Sequence, residues 1–240
     1  MKTHLYNAKL GKVRWFVTRF GAMELLLKPL RILLAPLILF FLKPTVFYFQ
    51  KNRLTQFYHS YNMTWVSERG VEIPIARFFL DQVDKAAVLE VGNVLSHYGP
   101  VTHDVLDKFE KGTGIINQDI IDYHPQKNYA LILSISTIEH IGFDDENESN
   151  SADKILSALA SCKTLLAPGG TLLVTLPIAY NPELDELIRA ERLQFNRATF
   201  LRRTESRQWV ECSQSEALLC RYKSPYPYAN AIMVAEFGNN

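Results

Sequence analysis

Five short apolar runs between Ala87 and Leu176 alternate with polar stretches that carry turn and helix signals. The runs are Ala87–Val91, Asp104–Leu106, Gly114–Asn117, Tyr129–Ile135 and Thr171–Leu176. Apolar runs of this length that are separated by crossovers are typical of parallel strands in a sheet covered on both faces. Two later runs, Gln208–Cys212 and Ala231–Phe237, are close in the chain and are expected to form an antiparallel edge pair.

The stretch "SADKILSALASCKTLL" between the fourth and fifth runs has apolar residues at helical spacing, and "APGG" is expected to end that helix as glycine caps do. The sequence therefore predicts an α/β fold. We expect a Rossmann-like, doubly wound, mostly parallel seven-stranded sheet with an antiparallel edge hairpin, preceded by an N-terminal amphipathic or hydrophobic helical segment.

Charge is distributed unevenly along the 240 residues. The formal net charge is only +1. Before Ser67, however, Glu24 is the single acid against ten Lys or Arg, so that segment carries +9 and the remainder −8. Such asymmetry indicates an anionic partner for the basic part. We accordingly divide the chain into a basic, hydrophobic arm and connector (1–66) and a domain of ordinary α/β size (67–240).

The arm contains an apolar segment whose longest uninterrupted run, Ile32–Leu42, has 11 residues, whereas a membrane-spanning helix needs about 20. Pro36 and Pro44 interrupt a longer span. A segment lying in the membrane interface is the preferred interpretation, with Trp15, Leu and Phe at the headgroup boundary and Lys or Arg facing anionic lipid. The alternative is an arm packed on its own domain or on a second subunit. Long aliphatic runs disfavour nucleic acid as the partner.

The three cysteines, Cys162, Cys212 and Cys220, match no metal-ligand spacing and cannot all pair. We therefore expect no metal site and a reducing compartment. No small-residue cleavage site follows the apolar segment, so a removed signal peptide is not expected. Together with the basic arm, this predicts a cytoplasmic protein that is peripheral on the cytoplasmic membrane.

Polar or acidic residues follow four consecutive predicted strands. They are Glu90 and Gly92, Asp107 and Glu110, Asp119, and the stretch from Ser134 to His140. Ligands of open parallel sheets bind outside the carboxyl ends of the strands, so these residues mark a candidate ligand site. Taken one by one, each has a simpler role: a lone glycine suits a tight turn, and Asp107 or Asp119 suits a cap.

The ordered series "VLEVG … HDVLDKFE … INQDIIDY … ISTIEHIG … LLAPGGTLLVTLP" resembles the class I S-adenosylmethionine-dependent methyltransferases. The "IEH" and "APGG" segments are similar to those of the large Glu-His-containing group that acts on small molecules, lipids and sugars. The resemblance covers about residues 86–177. It implies S-adenosyl-L-methionine as the cofactor and a small-molecule, glycan or lipid-linked methyl acceptor.

The resemblance also implies a set of cofactor-binding residues. Glu90 would organise the loop or hold the cofactor's amino group, and Gly92 would permit close backbone approach. Asp107 would accept hydrogen bonds from the ribose hydroxyls, with Glu110 as its rival. Asp119 would accept from the adenine amine, and Ile120 would cover the ring. The set is completed by Asn93 and Ser136.

One departure from the family pattern concerns the loop after the first strand. The positions of two further small residues are occupied by Val94 and Ser96, and the interval to Asp107 is short. We favour the explanation that the first helix is truncated and the cofactor follows a different path. The alternative is that cofactor binding has been lost. His97 and Tyr98 are candidates for closing the pocket, and Arg69 and Glu72 for a lid formed by "SERGVEIP".

By the same resemblance, His140 would accept the acceptor's proton and Glu139 would position cofactor or substrate, although a structural role for His140 is equally compatible. Candidate substrate residues are Tyr180, Asn181 and Arg203, the last for a phosphate-bearing group. The predicted function is O-methylation of a glycan, nucleotide-sugar or lipid-linked saccharide at the membrane face. The alternatives are a non-catalytic, methyltransferase-like scaffold and an NAD-dependent oxidoreductase, the latter disfavoured by the missing glycine fingerprint.

Overall fold

The computed structural model describes residues 22–143 and 151–238. The α-helices are α1 (Ala22–Phe41), α2 (Arg69–Leu80), α3 (Ser151–Thr164), α4 (Pro182–Arg189) and α5 (Gln214–Leu218). The first strands are β1 (Val46–Phe49), β2 (Asn52–Thr55), β3 (Val88–Val91), β4 (Asp104–Leu106) and β5 (Ile115–Ile116). The later strands are β6 (Tyr129–Ile135), β7 (Leu166–Pro177), β8 (Arg197–Arg203), β9 (Trp209–Cys212) and β10 (Ala231–Gly238).

Eight of these strands form one sheet in the order β5-β4-β3-β6-β7-β10-β8-β9. Strands β3 to β7 are parallel, and β10 runs antiparallel to both of its neighbours. This is the Rossmann-like, mostly parallel architecture that the sequence predicts. The crossovers give every parallel strand the same direction, so their carboxyl ends share one edge of the sheet.

The sheet has one strand more than predicted, because the charged stretch 197–203 also forms a strand around buried Phe200 and Leu201. The pairing expected for Gln208–Cys212 and Ala231–Phe237 is wrong. Strand β10 inserts between β7 and β8, and the edge hairpin is formed by β8 and β9. Strand propensity alone does not place β10, since both of its pairings join segments that are distant in sequence.

The helix predicted between the fourth and fifth runs is present as α3, but the "APGG" motif does not cap it. This helix ends at Thr164, and the motif lies inside β7. A Cβ on Gly170 would lie 2.8 Å from the carbonyl oxygen of Tyr129, where the pairing of β6 and β7 shifts register. Gly170 thus permits a close approach of the two strands.

The connection from β3 to β4 contains only one 3₁₀ turn, Leu95–Tyr98, in place of a crossover helix. The truncation expected from the short interval is therefore confirmed. Helix α2 packs on this face of the sheet, where its buried Val71, Ile73, Ile75 and Ala76 join a cluster that includes side chains of β3 and β6. Its first residue, Arg69, is thereby placed at the ligand-binding edge.

Helix α1 contacts the 3₁₀ turn Tyr61–Met63, and between Leu30 and Phe41 most of its large apolar side chains are exposed. Among the described helices, none combines the length and apolarity needed to cross a bilayer. After α1, Phe47 and Phe49 are buried in the same cluster as α2. Packing is therefore continuous from β1 onward, and the division at residue 67 remains a prediction. Residues 1–21 of the predicted arm, including Trp15, lie outside the described residues.

Candidate functional site

A cavity of about 400 Å³ opens at the carboxyl ends of β3, β4 and β6. This volume is within the range of small-molecule sites. Seven residues predicted as site residues line it: Gly92, Asn93, Asp107, Glu110, Asp119, Ile120 and His140. Their strands are adjacent in the sheet, which explains why residues far apart in the chain meet here.

Close contact with Thr137 leaves no room for a side chain at Gly92. It has φ +90°, and an added Cβ would lie 2.2 Å from Thr137 Oγ1. The N–H group of Gly92 donates to the carbonyl of Leu106. Both the backbone conformation and the contact exclude a side chain at this position. Gly92 therefore brings the backbone after β3 against the segment after β6, at the wall of the cavity.

Glu90 organises the loop and does not face the cavity. Its Oε1 accepts hydrogen bonds from the N–H groups of Val94 and Leu95, each at 2.8 Å. Its Oε2 lies 2.8 Å from His103 Nε2, and the Glu90 side chain is fully buried. Of the two roles predicted for Glu90, the structure supports loop organisation and leaves no carboxylate oxygen directed at a ligand.

Asp107 and Glu110, the rivals for the ribose, have different surroundings. Asp107 Oδ2 accepts from the N–H of Asn93, and Oδ1 accepts from the N–H groups of Phe109 and Glu110. The Glu110 side chain is 46% exposed; it accepts from Asn93 Nδ2 at 2.6 Å and lies 3.5 Å from His97 Nε2. Asp107 is thus committed to the loop backbone, whereas Glu110 retains solvent-accessible acceptor capacity.

Asp119 acts as an N-cap and also borders the cavity. Its Oδ1 accepts from the N–H of Ile121, and its Oδ2 lies 2.9 Å from Lys108 Nζ. Ile120 is buried and presents an apolar surface at the same wall. The cap and the cavity-lining position are compatible, because a carboxylate can accept about four hydrogen bonds.

His140 lines the cavity and contacts two other predicted site residues. Its Nδ1 lies 3.2 Å from the Tyr180 hydroxyl, and its Nε2 lies 3.7 Å from Glu139 Oε1. Glu139 is buried, and its Oε2 has no hydrogen-bond partner among the described residues. Burial raises the pKa of Glu139 to about 7, against the lowering effect of His140. The side chain of Glu139 therefore gains and loses a proton near neutral pH.

The structure places four other predicted residues outside the cavity lining. Ser136 donates to the buried Glu72, behind the cavity wall. Asn181 is fully buried; it caps α4 and donates to the Glu139 carbonyl, so it offers no surface to a substrate. Arg203 donates to the Val66 carbonyl and lies over Trp209. Tyr180 is outside the lining and contacts the cavity-lining His140. Apart from the local cap by Asn181, these corrections arise from contacts with groups that are distant in the chain, which sequence spacing does not reveal.

The structure also adds Tyr61, Asn62 and Thr137 to the cavity lining. Tyr61 stacks on His97 with ring centroids 4.5 Å apart, and Asn62 has φ +52°. The expected closure by His97 and Tyr98 is supported by their place in the wall. In the sequence, Tyr61 was indicated as a site residue by nothing more specific than the aromatic and polar composition of the connector before α2.

No family model matches this chain, and no curated protein sequence matches it significantly. Among solved structures, it is similar to the N-methyltransferase NodS from Bradyrhizobium japonicum WM9 in complex with S-adenosyl-L-homocysteine, with 15% identity, coverage of 72% of this chain and 87% of NodS, and a TM-score of 0.42. A possible histamine N-methyltransferase from Thermotoga maritima is 12% identical, with coverage of 75% and 95% and a TM-score of 0.42. At these identities the likeness concerns the fold and says nothing about the substrate.

Proposed function

We propose that this chain is an S-adenosyl-L-methionine-dependent methyltransferase of class I. The observation that carries the proposal is the convergence of Asp107, Glu110 and Asp119 on one cavity beside Gly92. With Asp107 fixing the loop, Glu110 and Asp119 offer carboxylates at adjoining strand ends to a ligand that has a diol and an amine, because ionised acceptors form the stronger hydrogen bonds. A Rossmann-like edge supplies this arrangement without a glycine-rich fingerprint.

The residues present fit the parts of the cofactor. Glu110 would accept from the ribose hydroxyls, with Asp107 holding the loop that carries it. Asp119 would accept from the adenine amine, and Ile120 would cover one face of the ring. When bound, S-adenosylmethionine supplies an electrophilic methyl group; the residues of this chain hold the partners at near-attack distance.

His140 is the candidate proton acceptor for an oxygen nucleophile, since it borders the cavity and imidazole is the commonest general base of enzymes. The Tyr180 hydroxyl orients the His140 ring through a hydrogen bond with Nδ1 of that ring, and Glu139 lies on its Nε2 side. Tyr222 and Phe143 pack against Tyr180 with ring centroids 5.1 and 6.1 Å apart. We propose O-methylation of a saccharide-bearing acceptor, because Tyr61, which stacks on His97 in the cavity lining, offers an aromatic surface to the apolar face of a sugar ring.

We further propose that the protein acts as a peripheral protein at the cytoplasmic membrane face, where a lipid-linked saccharide would be presented. The support is one face of α1, on which large apolar side chains recur at i, i+3, i+4 and i+7 and are mostly exposed: Leu30, Leu33, Leu34, Leu37, Phe40 and Phe41. Helix α1 belongs to the segment before Ser67, whose net charge is +9. Such helices lie in the headgroup region and prefer anionic lipid.

Flotation with vesicles tests the location separately from catalysis. The full chain should float with vesicles containing anionic phosphatidylglycerol and less well with neutral ones. Replacing Leu33, Phe40 and Phe41 by Ser should abolish flotation. Leu219→Ser, at an equally exposed leucine next to α5, is the matched control and should float normally. A chain that stays in the soluble fraction with anionic vesicles would overturn the membrane proposal.

Calorimetry and methyl transfer test the enzymatic proposal. S-adenosylhomocysteine should bind and NAD should not, and labelled methyl from S-adenosylmethionine should appear in an acceptor from cell-envelope extract. Binding of NAD alone would favour the oxidoreductase. Tight S-adenosylhomocysteine binding without any labelled acceptor would favour a scaffold, which the truncated connection after β3 makes the second candidate.

A further inference from the structure

The ligand-binding edge of the sheet continues past β7. Strand β10 is antiparallel to both β7 and β8, so β8 runs in the same direction as the parallel strands and ends at the same edge. The turn after β8 (203–207) and the segment before β10 (221–230) therefore lie at the edge that carries His140 and the cavity. An acceptor larger than the cavity can reach these two segments when it extends along this edge.

Two series of contacts connect the cavity with these segments. The first runs through rings: His140 packs against Tyr180 with ring centroids 5.0 Å apart, and Tyr180 packs against Tyr222 at 5.1 Å. The second runs through the connector before α2, where the Val66 carbonyl accepts from Arg203 Nη2 at 2.7 Å. The two segments are thus neighbours of the cavity.

The two segments together are positively charged. Their only acid is Glu205, against four basic residues: Arg203, Arg207, Arg221 and Lys223. The side chains of Arg207 and Arg221 are exposed, and neither forms an ion pair with a described residue. This surface therefore has charge that the described part of the chain does not neutralise.

The cations are close enough to act on one another. Burial lowers the pKa of Arg203; Glu68 raises it, and the charge of Arg207 lowers it again. Two guanidinium groups that repel each other favour an anion beside them, because the anion offsets the repulsion.

Aromatic rings position two of the cations. The guanidinium of Arg207 lies 5.3 Å from the ring centroid of Tyr226, and Lys223 Nζ lies 5.6 Å from that of Tyr222. Tyr222 is also the ring that contacts Tyr180, so Lys223 lies on the side of the surface that the rings link to the cavity. Packing on a ring restricts a long side chain and leaves guanidinium N–H groups able to donate.

The backbone of the segment before β10 is held by Asn230, which is 3% exposed. Its Nδ2 donates to the carbonyls of Arg221, Tyr226 and Tyr228, and its Oδ1 accepts from the N–H of Tyr226. The N–H of Lys223 donates to the Tyr228 carbonyl at 2.8 Å. A loop fixed in this way loses little freedom when its side chains bind a ligand.

We infer that the basic surface formed by Arg207, Arg221 and Lys223 binds a phosphate group of the methyl acceptor, which is therefore a phosphate-linked saccharide. The inference rests on the proposed function and deepens it by naming the group attached to the sugar. The saccharide would lie in the cavity near Tyr61 and His140, with its phosphate further along the edge. Guanidinium groups suit this task, because their planar donors match phosphate oxygens.

Glucose 1-phosphate and methyl glucoside distinguish a phosphate site from a sugar site, because they share a hexose and differ in the charged group. The measurement is calorimetry on the full chain saturated with S-adenosylhomocysteine. Glucose 1-phosphate should bind about 10- to 100-fold more tightly than methyl glucoside. Combining Arg207→Gln with Lys223→Gln should reduce this ratio to less than about threefold and leave the affinity for S-adenosylhomocysteine unchanged.

Arg189→Gln is the matched control, since it removes an exposed arginine from the last turn of α4, and it should leave the ratio unchanged. Should the double variant not fold, Arg207→Gln alone, at an exposed side chain, should lower the ratio at least about threefold.

No binding of glucose 1-phosphate, a ratio near one in the unaltered chain, or a ratio that survives in the variants would overturn the inference and leave the methyltransferase proposal in place. Failure of the unaltered chain to bind S-adenosylhomocysteine would overturn the proposed function and, with it, the inference.

The labelled product distinguishes the two sources of a phosphate-linked saccharide. Label transferred from S-adenosylmethionine into cell-envelope extract should be retained by an anion-exchange resin, and mild acid, which cleaves the sugar–phosphate bond, should release it. Within the retained fraction, extraction into butanol would identify a lipid-linked saccharide, and solubility in water would identify a nucleotide sugar. Label in a neutral saccharide would overturn the inference.

Discussion

Glu90 Oε2 and His103 Nε2 lie 2.8 Å apart, and both side chains are buried. The same carboxylate accepts from the N–H groups of Val94 and Leu95. One acidic side chain within β3 therefore fixes both ends of the connection to β4, where a crossover helix would normally supply the hydrogen bonds.

Glu90→Ala should destabilise the fold by about 3–5 kcal/mol, because it leaves two backbone donors and a buried imidazole without their partner. Urea unfolding followed by circular dichroism measures the loss. Glu110→Ala, which removes a partly exposed carboxylate near the same connection, should cost less than about 1 kcal/mol. Similar costs for the two variants would contradict the loop-organising role of Glu90.

Gly92→Ala should be more harmful than an alanine at another left-handed glycine. Gly114 also has positive φ, at +81°, but no atom lies within 4 Å of its added Cβ. Gly114→Ala should therefore cost only the backbone strain, about 1–2 kcal/mol. Gly92→Ala adds a clash with Thr137, and its free energy of unfolding should fall further, with loss of nucleoside binding. Equal unfolding free energies in the two variants would refute the contact with Thr137 as the reason for this glycine.

Asp107→Asn and Glu110→Gln should separate structural support from ligand binding. Loss of the Asp107 charge weakens three hydrogen bonds from backbone N–H groups, so the melting temperature should fall. Glu110→Gln should leave the melting temperature nearly unchanged and weaken S-adenosylhomocysteine about tenfold. Calorimetry and thermal unfolding of both variants provide the comparison. The reverse pattern would assign the ribose to Asp107.

Glu139 should make stability depend on pH. Its carboxyl has a pKa of about 7 in the folded chain, raised by burial from 4.5. The folded state therefore holds a proton that the unfolded state releases, and this contribution is lost as pH rises from about 4.5 to 7. Glu139→Gln, which is uncharged and of similar size, should gain stability relative to the unaltered chain between pH 5 and 8, by at most about 3 kcal/mol.

Urea unfolding at several pH values measures this gain. Glu186→Gln, at an exposed carboxylate on α4, is the control and should follow the unaltered chain at every pH. A constant difference between Glu139→Gln and the unaltered chain across this range would show that the Glu139 carboxyl does not titrate there.

The parallel half of the sheet could be predicted from the sequence because the burial of each strand determines the residue types within that strand. Strands buried on both faces are mostly apolar, as in Tyr129–Ile135, where Ser134 interrupts the apolar run, and the polar residues that follow such strands lie at one edge. The antiparallel half was less predictable. Strand β10 pairs with β7 and β8, and nothing within Ala231–Gly238 specifies those partners.

The sequence by itself determined the α/β class, the truncated connection after β3 and the acids at the strand ends, since each follows from residue type and spacing. Only the tertiary structure decided what each polar side chain does. Glu90 and Asp107 hold backbone, Asn181 caps α4, and Arg69 enters the cavity from α2. The reason is physical: a carboxylate or guanidinium has no role until distant chain segments bring it donors, acceptors or solvent.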